Sequence, residues 1–207
     1  MKIYYSEIFK KAKFSQEIIF QLQKILPEKF FLAYTIQYKP LALKLKKLFK
    51  DHITGFSQVI GCSKIPKQLA VLLIGEGKFH ALNLLNYADK VIVFNGESFN
   101  ELGEQEREKI ESENKVKFSK LLYANEIGIL ISTKPGQYNI QEALKIKNKL
   151  TELKKKSYFF FFDTLNYNDL YNFDIKFWLN TSCPGLEYDL KNVMNAKTFF
   201  QLLNDFY

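Results

Sequence analysis

Apolar positions along this chain alternate between two spacings. Ile18, Ile19, Leu22, Ile25 and Leu26 recur at near-helical intervals behind Ser15, a side chain suited to an N-cap, and Pro27 stops the run. Together with Ile8 and Phe9 they predict that residues 1–29 are helical. Residues 30–36 are β-rich, and Pro40 then sits where the first turn of a helix accepts proline; Leu41, Leu43, Leu45, Leu48 and Phe49 among lysines make that helix amphipathic. A short strand near 58–60 leads to Cys62. Residues 68–74, Gln-Leu-Ala-Val-Leu-Leu-Ile, are apolar on both faces, the pattern of a central parallel strand. A glycine turn, a Leu-rich helix and a strand over 90–94 follow.

Residues 97–124 break this rhythm. Charged side chains dominate 101–120 and hydrophobes are sparse, which predicts an exposed helix connecting two lobes. The alternation then restarts: a strand over 127–132, a loop around Gly136, a helix over 140–155, a strand over 157–162, a short helix near Asn168 and a strand over 175–181. Strand–loop–helix units in both halves predict an α/β protein of two similar lobes, 1–124 and 125–207, each a mainly parallel sheet flanked by helices. In such sheets ligands gather at the carboxyl ends of the strands. Residues 75–80, 133–139 and 182–185 all fall at such ends.

Composition narrows the class. With 47% hydrophobic and 25% charged residues the 207-residue chain reads as globular. No apolar run is long enough to span a bilayer, and residues 1–7 lack the apolar stretch of a secretory signal. Two cysteines make no disulfide framework, so a cytoplasmic protein is expected. The net charge of +8 could suit an acidic partner, yet of 30 basic residues only Arg107 is arginine. The lysines sit among glutamates on helix-like stretches. That is the distribution of a solvated surface, and no direct nucleic-acid contact is expected.

The candidate chemistry is sparse. Two histidines, His52 and His80, leave no room for a nucleophile triad built around several candidates, and the cysteines lack the Cys-x-x-Cys spacing of a zinc site. Gly75-Glu76-Gly77 lacks both the third glycine of a dinucleotide turn and the Lys-Ser/Thr ending of a triphosphate loop. Thr133-Lys134-Pro135-Gly136-Gln137 leads into a helix N-terminus, suited to a carboxylate or phosphate or simply to a tight turn. Cys183 sits where Pro184-Gly185 ends a strand, and Cys62 follows a short β-branched run. Each could be a ligand or a small buried hydrophobe.

Four segments in order resemble archaeal diphthamide synthase, 2-(3-amino-3-carboxypropyl)histidine synthase. They are Gly61-Cys62, Ile74-Gly75-Glu76-Gly77-Lys78-Phe79-His80, Ser132-Thr133-Lys134-Pro135-Gly136-Gln137 and Asn180-Thr181-Ser182-Cys183-Pro184. The family writes them Gly-Cys, Ile-Gly-Asp-Gly-Arg-Phe-His, Ser-Thr-Lys-Pro-Gly-Gln and Asn-Thr-Ala-Cys-Pro-Arg. The resemblance runs from about Phe30 to Asp189. It implies a [4Fe–4S] cluster on Cys62 and Cys183, and S-adenosylmethionine bound by Gly136, Gln137, Lys78 and His80. It also implies release of a 3-amino-3-carboxypropyl radical and its addition to a histidine of elongation factor 2, the first step of diphthamide formation.

The family has three such domains with one cysteine each. The two lobes match its second and third domains, so a separate polypeptide carrying the first domain and its cysteine, or a homologous subunit, is the expected partner. The alternative role is a non-catalytic scaffold or electron-relay partner of a full-length homologue. Lys78 stands where the family has arginine, which keeps charge but loses the two-pronged fork. Gly185 stands where it has arginine after Cys-Pro, and Glu76 where it has aspartate.

Overall fold

The computed structural model describes residues 8–206, and the chain divides into two units between Glu108 and Lys109. In the first unit α1 (Gln16–Ile25) precedes β1 (Phe30–Tyr34), a 3-10 turn (Ile36–Tyr38), α2 (Lys39–Leu48), β2 (Ile53–Gln58), β3 (Gln68–Ile74), α3 (Lys78–Leu84), β4 (Ala88–Phe94) and β5 (Phe99–Leu102). The strands lie in the order β2-β1-β3-β4-β5; the first four are parallel and β5 is antiparallel to β4. β1 and β3 are central, and Leu32, Leu72 and Ile74 pack against α1 and α2 through Leu22, Leu41 and Leu45.

The second unit takes the C-terminal part of α4 (Glu104–Tyr123), then β6 (Glu126–Ser132), α5 (Ile140–Glu152), β7 (Lys156–Phe162), α6 (Tyr167–Leu170), β8 (Phe177–Asn180), α7 (Leu186–Asp189), β9 (Val193–Asn195) and α8 (Ala196–Phe206). Its sheet is wholly parallel in the order β7-β6-β8-β9. Gly128 on β6 pairs with Trp178 on β8, and the indole covers the glycine: a Cβ at 128 would lie 2.1 Å from the ring. Phe160 and Phe173 meet that indole edge-on.

The α/β class with mainly parallel sheets agrees with the periodicity. Beyond β9 and α8, for which no expectation was drawn, several elements differ from the sequence expectation. The first helix begins only at Gln16, where the Ser15 hydroxyl accepts the Ile18 N–H at 3.2 Å, and residues 8–15 are not helical. The part of the expected helix on residues 1–7 lies outside the described residues. β2 occupies Ile53–Gln58 rather than 58–60; it is an edge strand of Thr, Gly, Ser and Gln that need not be apolar on both faces. Residues 101 and 102 close β5 rather than opening the charged helix, which starts at Glu104. The last turns of α4 are exposed on one side only, because Phe118 and Leu121 are buried in the second unit's core while Ser119, Lys120 and Tyr123 face solvent.

Candidate functional site

In the first unit β1 is followed in space by β2 on one side and β3 on the other, so the chain reverses direction across the sheet between β1 and β3. Ligand crevices form at such points, beyond the carboxyl ends of the strands. Thr35 follows β1 there, and Gly75 follows β3. Thr35 is buried, its N–H donates to Ile74 O at 3.0 Å, and a Cβ on Gly75 would come within 3.1 Å of its side chain.

The Cys62 turn leans on this crevice. Ile60 N–H donates to Ser63 Oγ at 2.8 Å and Ser63 N–H to Ile60 O at 3.0 Å, closing a loop with Cys62 exposed at its tip. Asn83 of α3 donates to Ser63 O at 2.8 Å. A side chain at 61 would overlap the Phe79 ring, with its Cβ 1.8 Å from Cε1, so Gly61 lets the turn rest directly on that ring. The structure therefore brings Cys62 together with the segment holding Lys78 and His80. Lys78 opens α3 and is exposed. His80 is half-buried, which pulls its imidazole below its ordinary pKa and keeps it neutral, and its ring meets Phe79 edge-on. Glu76 pairs with Lys10, whose ammonium, with the Tyr38 hydroxyl, holds the carboxyl below its usual range. Gly77 has φ +80°, a backbone region that favours glycine, and the space a Cβ would fill is open.

The second unit repeats the arrangement between β6 and β8. Ser132 N–H donates to Ser182 Oγ at 2.9 Å, and Thr181 donates through both its N–H and its hydroxyl to Leu130 O. These bonds join the Thr133–Gln137 loop to the Cys183 turn. Gly136 has φ +79° with open space above it, Gln137 is exposed, and Asn139 caps α5 by accepting the Glu142 N–H at 3.2 Å. Cys183 is half-buried. Its turn is held from below by Asn180, Asn195 and Glu187. Burial raises the Glu187 carboxyl pKa above the usual range, against the pull of Lys117. Each unit thus sets one cysteine beside one positive-φ glycine loop.

Residues 1–203 match the family model of diphthamide synthesis proteins. The chain belongs to that family. It is similar to the curated 2-(3-amino-3-carboxypropyl)histidine synthase of Pyrococcus horikoshii, with 24% identity over 142 residues, 67% of this chain and 42% of that protein. The fold matches crystal structures of Dph2 from the same organism. One has a TM-score of 0.81 at 21% identity over 94% of this chain and 63% of the other. A second, described as holding a 4Fe-4S cluster, gives 0.79 at 22% identity over 91% and 60%. The chain therefore spans less than two thirds of each of these relatives.

An iron–sulfur cluster asks for soft thiolate donors that are not locked in an apolar core. Cys62 and Cys183 fit that requirement, since both lie on hydrogen-bonded turns outside the strands. They supply two donors, and among the described residues no three His, Cys, Asp or Glu side chains gather. Each unit thus offers one donor of the kind such a site needs. Thr35, Asn180, Asn195 and Glu187 were not singled out by the sequence. Asn180 stood inside a quoted motif, but nothing in the spacing joins it to Asn195.

Proposed function

We propose that this diphthamide-family chain is a subunit of a 2-(3-amino-3-carboxypropyl)histidine synthase, acting in the cytoplasm on a histidine of elongation factor 2. Its units correspond to the family's second and third domains. The observation that carries this reading is the pairing, in each unit, of a cysteine turn with a glycine loop at the carboxyl end of a parallel sheet. Cys62 and Cys183 would hold a [4Fe–4S] cluster, with a further thiolate from a separate polypeptide or a homologous subunit. When bound, the cluster supplies the electron that cleaves the sulfonium of S-adenosylmethionine.

The protein's own part is binding and orientation. Gly136 offers its backbone N–H and Gln137 its side-chain amide ahead of the α5 N-terminus, where a carboxylate is favoured; the Gln137 N–H itself closes the turn onto Lys134 O. Lys78 would supply positive charge to S-adenosylmethionine. His80, neutral through burial, offers a ring nitrogen rather than a second cation.

Anaerobic reconstitution with iron and sulfide tests the reading. The chain alone is expected to hold little stable cluster, and adding the partner polypeptide to restore the broad visible absorption. Full loading of the isolated chain that survives a chelator overturns the need for a partner thiolate. A second reading, an accessory subunit that scaffolds or relays electrons to a homologous one, is favoured by Gly185, which leaves no cation after Cys-Pro. It predicts that the complex keeps its activity when both cysteines of this chain are replaced.

A further inference from the structure

Beneath the Cys183 turn lies a polar group that none of the four motifs contains in full. Asn180 ends β8 and Asn195 ends β9, and the two are register partners on neighbouring parallel strands. Their side chains do not serve the ladder. Asn180 Nδ2 donates to Cys183 O at 2.9 Å and to Asn195 Oδ1 at 2.7 Å, while its Oδ1 accepts the Ser182 N–H at 2.9 Å. Asn195 Nδ2 donates to Pro184 O at 3.0 Å and to Glu187 Oε2. Glu187 is 6% exposed, and its peptide oxygen accepts from Lys117 Nζ of α4 at 2.7 Å. The Ser182 N–H and the Cys183 and Pro184 carbonyls therefore each reach one of two side-chain amides, the carbonyls also accepting the Leu186 and Glu187 N–H groups at 3.2 and 3.3 Å, and the second amide is oriented by a buried carboxyl.

We propose that Asn195 is a positioning residue for Cys183: through Pro184 O and through Asn180 it fixes the direction in which the turn offers the sulfur. Glu187 Oε2 serves as the anchor that keeps the Asn195 amide in that orientation. Ligand-bearing loops need such supports, because a thiolate that wanders by a fraction of an ångström binds metal less tightly. Glu187 Oε1 has no hydrogen-bond partner among the described residues, so the anchor acts through Oε2. The value of the arrangement for iron rests on the proposed function; the hold on the turn does not.

The test uses the full chain with Cys62→Ser, which leaves Cys183 as its only thiol, and follows its alkylation by iodoacetamide. Asn195→Ala should raise the rate severalfold with the circular dichroism spectrum unchanged. Glu187→Gln, which keeps an oxygen for Asn195, should behave as the parent, whereas Glu187→Ala should follow Asn195→Ala. In a Cys183→Ser chain, Asn195→Ala should leave the Cys62 rate alone. An unchanged Cys183 rate, or an equal rise at Cys62, overturns the proposal. Should Asn195→Ala fail to fold, Asn195→Ser carries the same comparison. In the assembled complex, Asn195→Ala should lower iron affinity about 10–100-fold, as losses of ligand supports do, and alter the electron paramagnetic resonance line shape. If instead Cys183→Ala leaves the iron content of the complex untouched, the cluster assignment fails while the alkylation result still judges Asn195.

Discussion

Cys62 and Cys183 are held differently, and substitution separates their roles from mere packing. Cys62 is exposed and Cys183 half-buried, so Cys62→Ala and Cys183→Ala remove little buried volume. Each should cost about 1 kcal/mol or less of stability by thermal melting. In the assembled complex both should abolish modification of the elongation-factor histidine. Loss with Cys183→Ala alone would make Cys62 a bystander. Lys78→Ala should weaken S-adenosylmethionine binding to the complex by about 1.5–3 kcal/mol by calorimetry, the range for a hydrogen bond to a charged group, and equal affinity would leave Lys78 without a part in binding. His80 gives a pH signature. Burial holds its pKa below the ordinary 6.5, so the unfolded chain takes up this proton first as pH falls. The stability it contributes is present above pH 6.5 and is lost as pH drops through the lower folded value. His80→Gln should flatten that part of the fall in melting temperature under acid, and an identical pH profile would count against it. The placing of Lys78 and Gln137 just beyond the carboxyl ends of β3 and β6 was legible in the sequence. Asn195 and Glu187 were not, because their bonds to the Cys183 turn join residues that share no periodicity.

Among the elements, β6 and β8 depend on one close approach. The Cβ of Gly128→Ala would fall 2.1 Å from the Trp178 ring, and Phe160, at 4.7 Å between ring centres, blocks the indole from moving aside. Overpacking of this kind costs about 1–3 kcal/mol, measurable by denaturant unfolding, and the penalty should shrink in a Trp178→Leu background. The Cβ of Gly61→Ala meets first the half-buried Phe79 ring. It should shift the Cys62 turn more than it destabilises the unit. Long apolar elements such as β3 were legible because burial on both faces demands a continuous run. β5 and β9 hide for a physical reason: strands of four and three residues are too short to show a period of two. The α8 stripe of Ala196, Phe199 and Leu203 does have helical spacing, but it lies beyond the last motif-bearing strand.

For the whole molecule, the chain divides at 108/109, inside the helix that the charge pattern marked as a connector. Phe118 and Leu121 place the last part of that helix in the second unit's core. The reconstitution experiment belongs at this scale, because it asks whether a protein with two thiols is a complete iron site or a share of one. The sole tryptophan adds a practical consequence. Trp178 is 4% exposed and sits wholly within the second unit's core, between Phe160 and Phe173. Its emission is therefore a built-in optical reporter for the half of the chain that carries Cys183 and is silent about the half that carries Cys62. A melt followed by tryptophan fluorescence reads one unit, the same melt followed by circular dichroism reads both, and the gap between the two curves is the signal of the unit without a lamp.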